Sequence, residues 1–420
     1  MNPQELFPLI EELQIQDDFC DFLQYISEHE VKITKVGNIG PKDCFLINQK
    51  LYHSKSVQHN KVQHPKYPAV WFFYHIGLVS KILQYNQQKS KVLLEIDEEQ
   101  YTAFTNLNKT EKYFFILYQF WANCLIEDLK EDDYNVGLDE DLHEAISEIL
   151  EESKQDIDEK MYQHHLFGKL GQLIEQLSFL GWWDVILPND DKDKRWKRNV
   201  AMLPLGQFFI PILCEERPLL FWNKHARLNE SYRYETFSFF RAESDDIDEE
   251  DVKTQLNRVA NESFFDVFNG VYEMDNLYAF EIINKPVKGD YIFKASLSAQ
   301  IWRRIKINGH LSLEDLHLMI QRAFNFSNDH LYAFFTSGKA FKGSSYNDPR
   351  GGDPPFADEV AIQELALSKG SKMLYLFDFG DCWEFEVLLE DINEKDDKTI
   401  ALPSIIEKKG KAPKQYGYYE

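Results

Sequence analysis

Tyr291-Ile292-Phe293-Lys294-Ala295-Ser296-Leu297 and Ile301-Trp302-Arg303-Arg304-Ile305-Lys306-Ile307 stand three residues apart, each rich in apolar residues set against polar or charged neighbours. Such runs read as strands, and the short polar interval between them fits a hairpin. Further along, Leu313, Leu316, Ile320 and Phe324 fall three or four apart and predict a helix over 313–324. Strand-like runs return at Leu331 to Thr336, Met373 to Asp378 and Trp383 to Leu389. Two strands, a helix and further strands predict a compact α+β domain, with a β-grasp arrangement as one form of it. The loop Gly343 to Ala357, with Pro349, Gly351, Gly352, Pro354 and Pro355, exceeds the usual connection length. It lacks the Gly-Lys-Ser/Thr ending of a phosphate-binding loop.

The preceding half is mainly helical. Pro68 opens a helix-like run that stops at Gly77-Leu78-Val79, and a polar segment leads to the strand-like Val92-Leu93-Leu94-Glu95-Ile96. A second run, Leu166, Phe167, Leu170, Leu173, Ile174, Leu177 and Leu180, stops at Gly181-Trp182-Trp183, and polar Asp190 to Asn199 precedes Val200-Ala201-Met202. Helix, glycine stop, polar hairpin tip and returning strand is the order of a winged helix, and glycine suits the positive φ that often ends a helix. Glu111 to Leu129 is apolar almost all round and predicts a central buried helix. Residues 243–251 carry seven acids in nine, the composition of a solvated linker. The expected organisation is a winged-helix-like helical unit at 1–130, an acidic helical segment and second winged-helix-like unit at 131–240, an acidic linker and helix at 241–275, and the α+β domain at 276–420.

At 420 residues the chain has room for about two to four domains. With 32 Phe, 21 Tyr and 8 Trp it has ample large side chains to fill their cores. The amino-terminal residues lack the pattern of a secretory signal and no apolar run reaches the ~18 residues of a membrane span, so a soluble cytoplasmic protein is expected. Cys20, Cys44, Cys124, Cys214 and Cys382 are scattered and odd in number; they read as buried thiols in a reducing compartment. A net charge of -24 opposes nonspecific binding to nucleic acid, but residues 127–160 alone hold fifteen acids against three lysines, half of that total. The rest of the surface is therefore less hostile to phosphate. At the hairpin tip of the second unit, Lys192, Lys194, Arg195, Lys197 and Arg198 surround Trp196, a pattern that could follow a DNA backbone. A solvated hairpin would look the same, since Asp190, Asp191 and Asp193 reduce its charge. His53, His59 and His64 lie in a polar stretch and read as surface residues.

Chemistry-bearing residues cluster in the α+β domain. Alternation puts Arg303 on the apolar face with Ile301, Ile305 and Ile307, where a guanidinium needs a carboxylate or several carbonyls. Asp378, Asp381 and Glu384 are the expected acceptors, and a core ion pair that fixes strand register accounts for the arginine without catalysis. His317 sits beside the helix stripe, the place of a hydrogen-bonded core histidine. Were His317, His330, Asp378 and Asp381 to converge, they would match a divalent-metal or acid/base set, although no two have tight metal-ligand spacing. Asp378-Phe379-Gly380-Asp381 also reads as a strand running into a tight turn.

Ile301-Trp302-Arg303-Arg304-Ile305, Leu313-x-x-Leu316-His317-x-x-Ile320-Gln321, His330-Leu331-Tyr332-x-Phe334 and Asp378-Phe379-Gly380-Asp381-x-Trp383-Glu384 together resemble the plasmid pRiA ORF-three-like domain. That domain occurs in proteins often labelled transposon passenger TnpR proteins, and the resemblance covers about residues 277–420. It implies a bacterial, mobile-element context and no established activity. Phe385 stands where the family commonly has histidine, and Gly410 to Tyr418 is a degenerate form of an acidic Pro-Pro-Glu-Asp ending. Both departures weaken any site built on those residues. The combined expectation is a noncatalytic binding or adaptor protein contacting DNA or a protein partner, without cofactor or metal. The alternative is a metal-dependent hydrolase centred on His317, His330, Asp378 and Asp381.

Overall fold

The computed structural model describes residues 3–129, 142, 146, 170–186, 199–228, 258–283, 287–393 and 403–416, apart from 35–36, 58, 89–90, 260, 337, 339, 341–344, 352–354, 366 and 368. The acidic run 243–251, most of the acidic segment 127–160, Leu166 and Phe167, and the basic tip 192–198 lie outside these residues. The protein is α+β, with helices dominating the first half and a seven-stranded antiparallel sheet in the second. By its internal contacts the chain divides into two compact units, residues 1–227 with 232–283, and residues 228–231 with 284–420.

The first unit opens with α1 (Pro3–Glu12), α2 (Ile15–Glu28), β1 (Val31–Ile33), α3 (Pro41–Asn48), α4 (Pro68–Val79), β2 (Leu83–Gln88) and β3 (Lys91–Ile96). The strands form a small antiparallel sheet in the order β1-β3-β2. Proline at the first position of α4 supplies the preset φ of a helix start. The helix then runs past the expected stop: Gly77 lies within it, and the positive φ falls on Lys81 (63°). Gly77 answers to packing instead, since a Cβ there would meet the Leu83 side chain. Buried Phe72 meets Phe120 at 5.9 Å and Phe179 at 6.5 Å, and burying such a ring contributes roughly 1.5–3 kcal/mol.

Next come α5 (Glu98–Thr105), α6 (Lys109–Tyr118) and α7 (Ile126–Leu129). The predicted central helix is buried but broken: α6 widens into a π turn at Gln119–Asn123. The Asn223 amide explains the break, donating to the carbonyls of Trp121 (2.8 Å) and Cys124 (2.9 Å), which a continuous helix would need. A second helix and hairpin follow as α8 (Leu173–Phe179), β4 (Trp183–Ile186) and β5 (Asn199–Met202). Here the glycine stop is where the sequence places it: Gly181 has φ +71° and its N–H donates to the Ser178 carbonyl at 3.0 Å. The unit ends with α9 (Pro204–Glu216), α10 (Leu219–Trp222), α11 (Lys224–Leu228, its last residue counted with the second unit) and α12 (Asp275–Ile283). Its core is continuous from Leu6 to Phe280.

Two histidines differ from their expected surface role. His53 pairs with buried Asp18 at 2.7 Å, and His64 is itself buried. Asp18 also accepts from the N–H groups of Tyr52 and His53, so one carboxylate fixes the chain beyond α3. All five cysteines are free; Cys44 and Cys124 are buried, whereas Cys382 is exposed because it closes a surface turn.

The second unit follows the predicted order closely. β6 (Asp290–Ser298) and β7 (Ile301–Asn308) form the hairpin, and α13 (Leu313–Phe324) comes next. After it come β8 (Tyr332–Phe335), β9 (Ser345–Asn347), β10 (Lys372–Phe377), β11 (Trp383–Asn393) and β12 (Ser404–Lys409). The sheet order is β12-β7-β6-β11-β10-β8-β9, with every pairing antiparallel. The side chains of α13 join one core with alternate residues of β6, β7, β10 and β11. Charge pairs lie elsewhere: Arg304 pairs with Glu390 and Glu407, and buried Lys306 pairs with Asp290 at 3.2 Å.

Candidate functional site

The candidate cluster is set by α13 and the strand ends around it. Ser312 and Asp315 form a reciprocal capping box at the start of α13, and Asn325 at φ 58° ends it in the left-handed conformation asparagine tolerates. Between these limits the periodicity buries Leu313, Leu316, His317, Ile320 and Phe324.

Arg303 is 4% exposed and meets carbonyls, not carboxylates. Its Nε donates to the Ala323 carbonyl at 2.9 Å, and Nη1 donates to those of Trp302 and Lys409, each at 2.8 Å. The expected pairing with Asp378, Asp381 or Glu384 is therefore corrected. The reason lies in the helix end: Ala323 belongs to the last turn of α13, whose carbonyls lack helical partners and carry the negative end of the dipole. Phe324 completes the nest, its ring centroid 4.6 Å from the guanidinium carbon. Burial pushes the guanidinium pKa down. Arg303 thus joins β7, β12 and the end of α13.

His317 is fully buried. Its ring stacks on Tyr332 with centroids 3.7 Å apart, and Nδ1 lies 2.7 Å from the Tyr375 hydroxyl. That hydroxyl also accepts from the Gln321 amide at 2.6 Å, so His317, Gln321 and Tyr375 form one buried polar network. Burial pushes the His317 pKa down to about 4, leaving a neutral ring at pH 7.

His330 is set apart from this nest. It is half-exposed, its Nε2 lies 3.5 Å from Asp378 Oδ2, and its ring centroid is 6.2 Å from that of Phe377, which is also 6.3 Å from that of His317. Asp378, with φ 57°, closes the turn: its Oδ1 accepts from the N–H groups of Gly380 (3.0 Å) and Asp381 (3.3 Å). Asp381 and Glu384 are exposed. The structure thus brings His330 and Asp378 together and turns His317 inward to Tyr375 and Tyr332. Among the described residues no group of three or more His, Cys, Asp and Glu is arranged to hold a metal ion.

Sequence reasoning missed a clamp in the long loop. Asp348 is buried and receives Arg350 Nε at 3.0 Å and Nη2 at 2.6 Å. Arg350 also donates to the Asn328 carbonyl at 3.2 Å, the Asn328 side-chain oxygen at 2.9 Å and the His330 carbonyl at 2.8 Å. The guanidinium beside it holds the Asp348 carboxyl below the ordinary range despite burial. Gln415 and Tyr416 grip the same turn from the other side through Asp329 at 2.9 and 2.6 Å. The available signal was Asp348-Pro349-Arg350-Gly351-Gly352, an acid and an arginine two residues apart at a turn.

Residues 292–416 match the family described as plasmid pRiA4b ORF-3-like protein, the segment that carries these motifs. The uncharacterized protein y4hQ of Sinorhizobium fredii is 33% identical over 92 residues, 21% of this chain and 46% of that protein, so the chain spans about half the length of this curated relative. A protein of unknown function from Methanosarcina mazei Go1 shares 27% identity over 30% of this chain and 72% of its own, with a TM-score of 0.26.

Proposed function

We propose that this is a noncatalytic adaptor of mobile-element type, in which paired winged-helix-like units and the ORF-3-like domain engage a protein partner. The proposed boundaries are 1–130, 131–240, 241–275 and 276–420. The order α2-β1-α3-α4-β2-β3, with sheet order β1-β3-β2, supports a winged-helix-like first unit, and α8 with the β4–β5 hairpin supports a second. The observation that carries the choice of partner is the burial of α4 and α8. These are the helices that a DNA-binding winged helix would lay in the major groove, where bases are read by exposed polar and basic side chains. In α4, Val70, Phe72, Phe73, Tyr74 and Ile76 are buried and the Trp71 indole donates to the Asp128 carbonyl at 2.8 Å. In α8, Leu173, Ile174 and Leu177 are buried and the Gln176 amide donates to the Leu129 carbonyl at 3.2 Å. Neither helix carries lysine or arginine.

Among the described residues no helix is long and apolar enough to cross a membrane. A cytoplasmic setting belongs to the proposal and agrees with five free thiols. The hydrolase reading loses support from the inward turn of His317, while half-exposed His330 and buried Asp378 remain a proposed cluster with Asp381. Gel-shift titration with duplex DNA from about 50 mM salt upward tests the choice of partner. No retained duplex is expected. Retention that falls steeply with salt and disappears when Lys192, Lys194, Arg195, Lys197 and Arg198 are neutralised would replace the protein partner with DNA.

A further inference from the structure

We propose that the cleft between the start of α1, the first turn of α6 and the turn at residues 269–276 binds an alkylammonium group. The cleft is open to solvent, has a volume of about 540 Å³, and belongs wholly to the first unit. Phe7 and Tyr272 form one wall, their half-buried rings 5.4 Å apart and tilted by 59°. Glu111, Glu273 and Asp275 supply carboxylates around them, and among the described residues no lysine or arginine lines the cleft.

The inner parts are held in place before any ligand arrives. The Tyr272 hydroxyl accepts from the Asn108 amide at 2.7 Å, and its ring stacks on Phe114 at 6.3 Å. Glu111 is buried and accepts from the Asn276 amide at 2.7 Å and from the Asn108 N–H at 2.8 Å. Because Asn108 and Glu111 cap the first turn of α6 reciprocally, that helix end does not offer its usual donors to an anion. Glu273 and Asp275, in contrast, are exposed and have neither an ion pair nor a hydrogen bond among the described residues. Two unpaired carboxylates beside two half-buried aromatic rings suit a cation on an apolar stem: the charge gains the acids, and the methylenes cover the exposed parts of the rings. The same chemistry belongs to a free polyamine and to a lysine side chain of a protein.

Isothermal titration calorimetry on the full chain at about 0.15 M salt, where distant surface charge is screened, separates these sources. One arm uses spermidine. The other uses an acetylated and amidated Gly-Lys-Gly peptide, with norleucine in place of lysine as its neutral control. Saturable binding in at least one arm is expected, and the arm that binds identifies the source. The double variant Glu273→Gln with Asp275→Asn should weaken it about tenfold or more, and Phe7→Leu should weaken it with both acids intact. Thermal melts of each variant establish that it remains folded. No saturable heat in either arm, equal affinity in the folded double variant, or equal binding of the norleucine peptide would overturn the proposal.

Discussion

Arg303 and Arg217 show how this chain buries a guanidinium mainly on backbone carbonyls and an aromatic ring, with one carboxylate, Glu262, beside Arg217. Arg217 is 1% exposed, donates to the carbonyls of Phe264 (3.3 Å) and Ser263 (2.9 Å), and its guanidinium carbon lies 3.9 Å from the Trp222 ring centroid, with Glu262 at 3.4 Å. Arg303 repeats the device with three carbonyls and Phe324. A planar fork of donors reaches several carbonyls from different elements at once, which one ammonium cannot reproduce. Replacing Arg303 by alanine or lysine is therefore expected to destabilise the second unit by about 2–4 kcal/mol in urea unfolding, since either change strands buried acceptors. Glu384→Gln should stay within about 0.5 kcal/mol of the parent, as befits an exposed residue. A large loss in Glu384→Gln, or full rescue by lysine, would restore the ion-pair reading of the arginine. Burial of Arg303 was legible in strand alternation. Its partners were not, because they are backbone groups that any residue type supplies.

At the scale of elements, the two helix–hairpin units use glycine in different ways. Gly181 provides a positive φ beyond a helix, which the sequence pattern locates correctly, while Gly77 provides closeness and leaves its helix uninterrupted. Gly206, in the first turn of α9, is a stronger instance of closeness: a Cβ there would land on the carbonyl oxygen of Trp182, at the entry to β4. Backbone yields less readily than a flexible side chain. Gly206→Ala should thus cost about 3 kcal/mol or more in denaturant unfolding, against a few tenths for Gly270→Ala, where the added Cβ meets open space. Equal stability of the two variants would remove the close approach from the account of this hairpin. The second unit was more legible: the predicted helix 313–324 is α13 itself, and each predicted strand has an observed counterpart. β9 and β12 went unread, β9 because it has only three residues and β12 because its residues are mostly exposed and lack an alternating apolar face.

For the molecule as a whole, the buried histidines tie stability to pH. Burial pushes the pKa values of His64 and His75 down to about 3 each, and the Nε2 atom of each is buried without a partner. In the unfolded chain both titrate near the ordinary value of 6.5 given for free histidine. Between the two values the unfolded state binds more protons, so their contribution is full above pH 6.5 and is lost as pH falls toward 3. Lowering the pH from 7 to 5 is expected to reduce the stability of the first unit by about 2 kcal/mol per histidine. Urea unfolding followed by helical circular dichroism checks this, with His64→Gln and His75→Gln reducing the slope. A midpoint that stays level or rises on acidification would refute it.

Local sequence patterning suffices for the α+β class, for the span and phase of α13 and its neighbouring strands, and for the family resemblance over residues 292–416. These follow from local periodicity, which survives without knowledge of partners. Tertiary packing sets which surfaces those elements keep. It turned α4 and α8 inward, gave Arg303 to carbonyls, withdrew His317 from His330, and placed Arg350 across residues 328–330. Each of these outcomes depends on groups distant in sequence meeting at hydrogen-bonding distance, and burial penalises any polar group that fails to meet its partner.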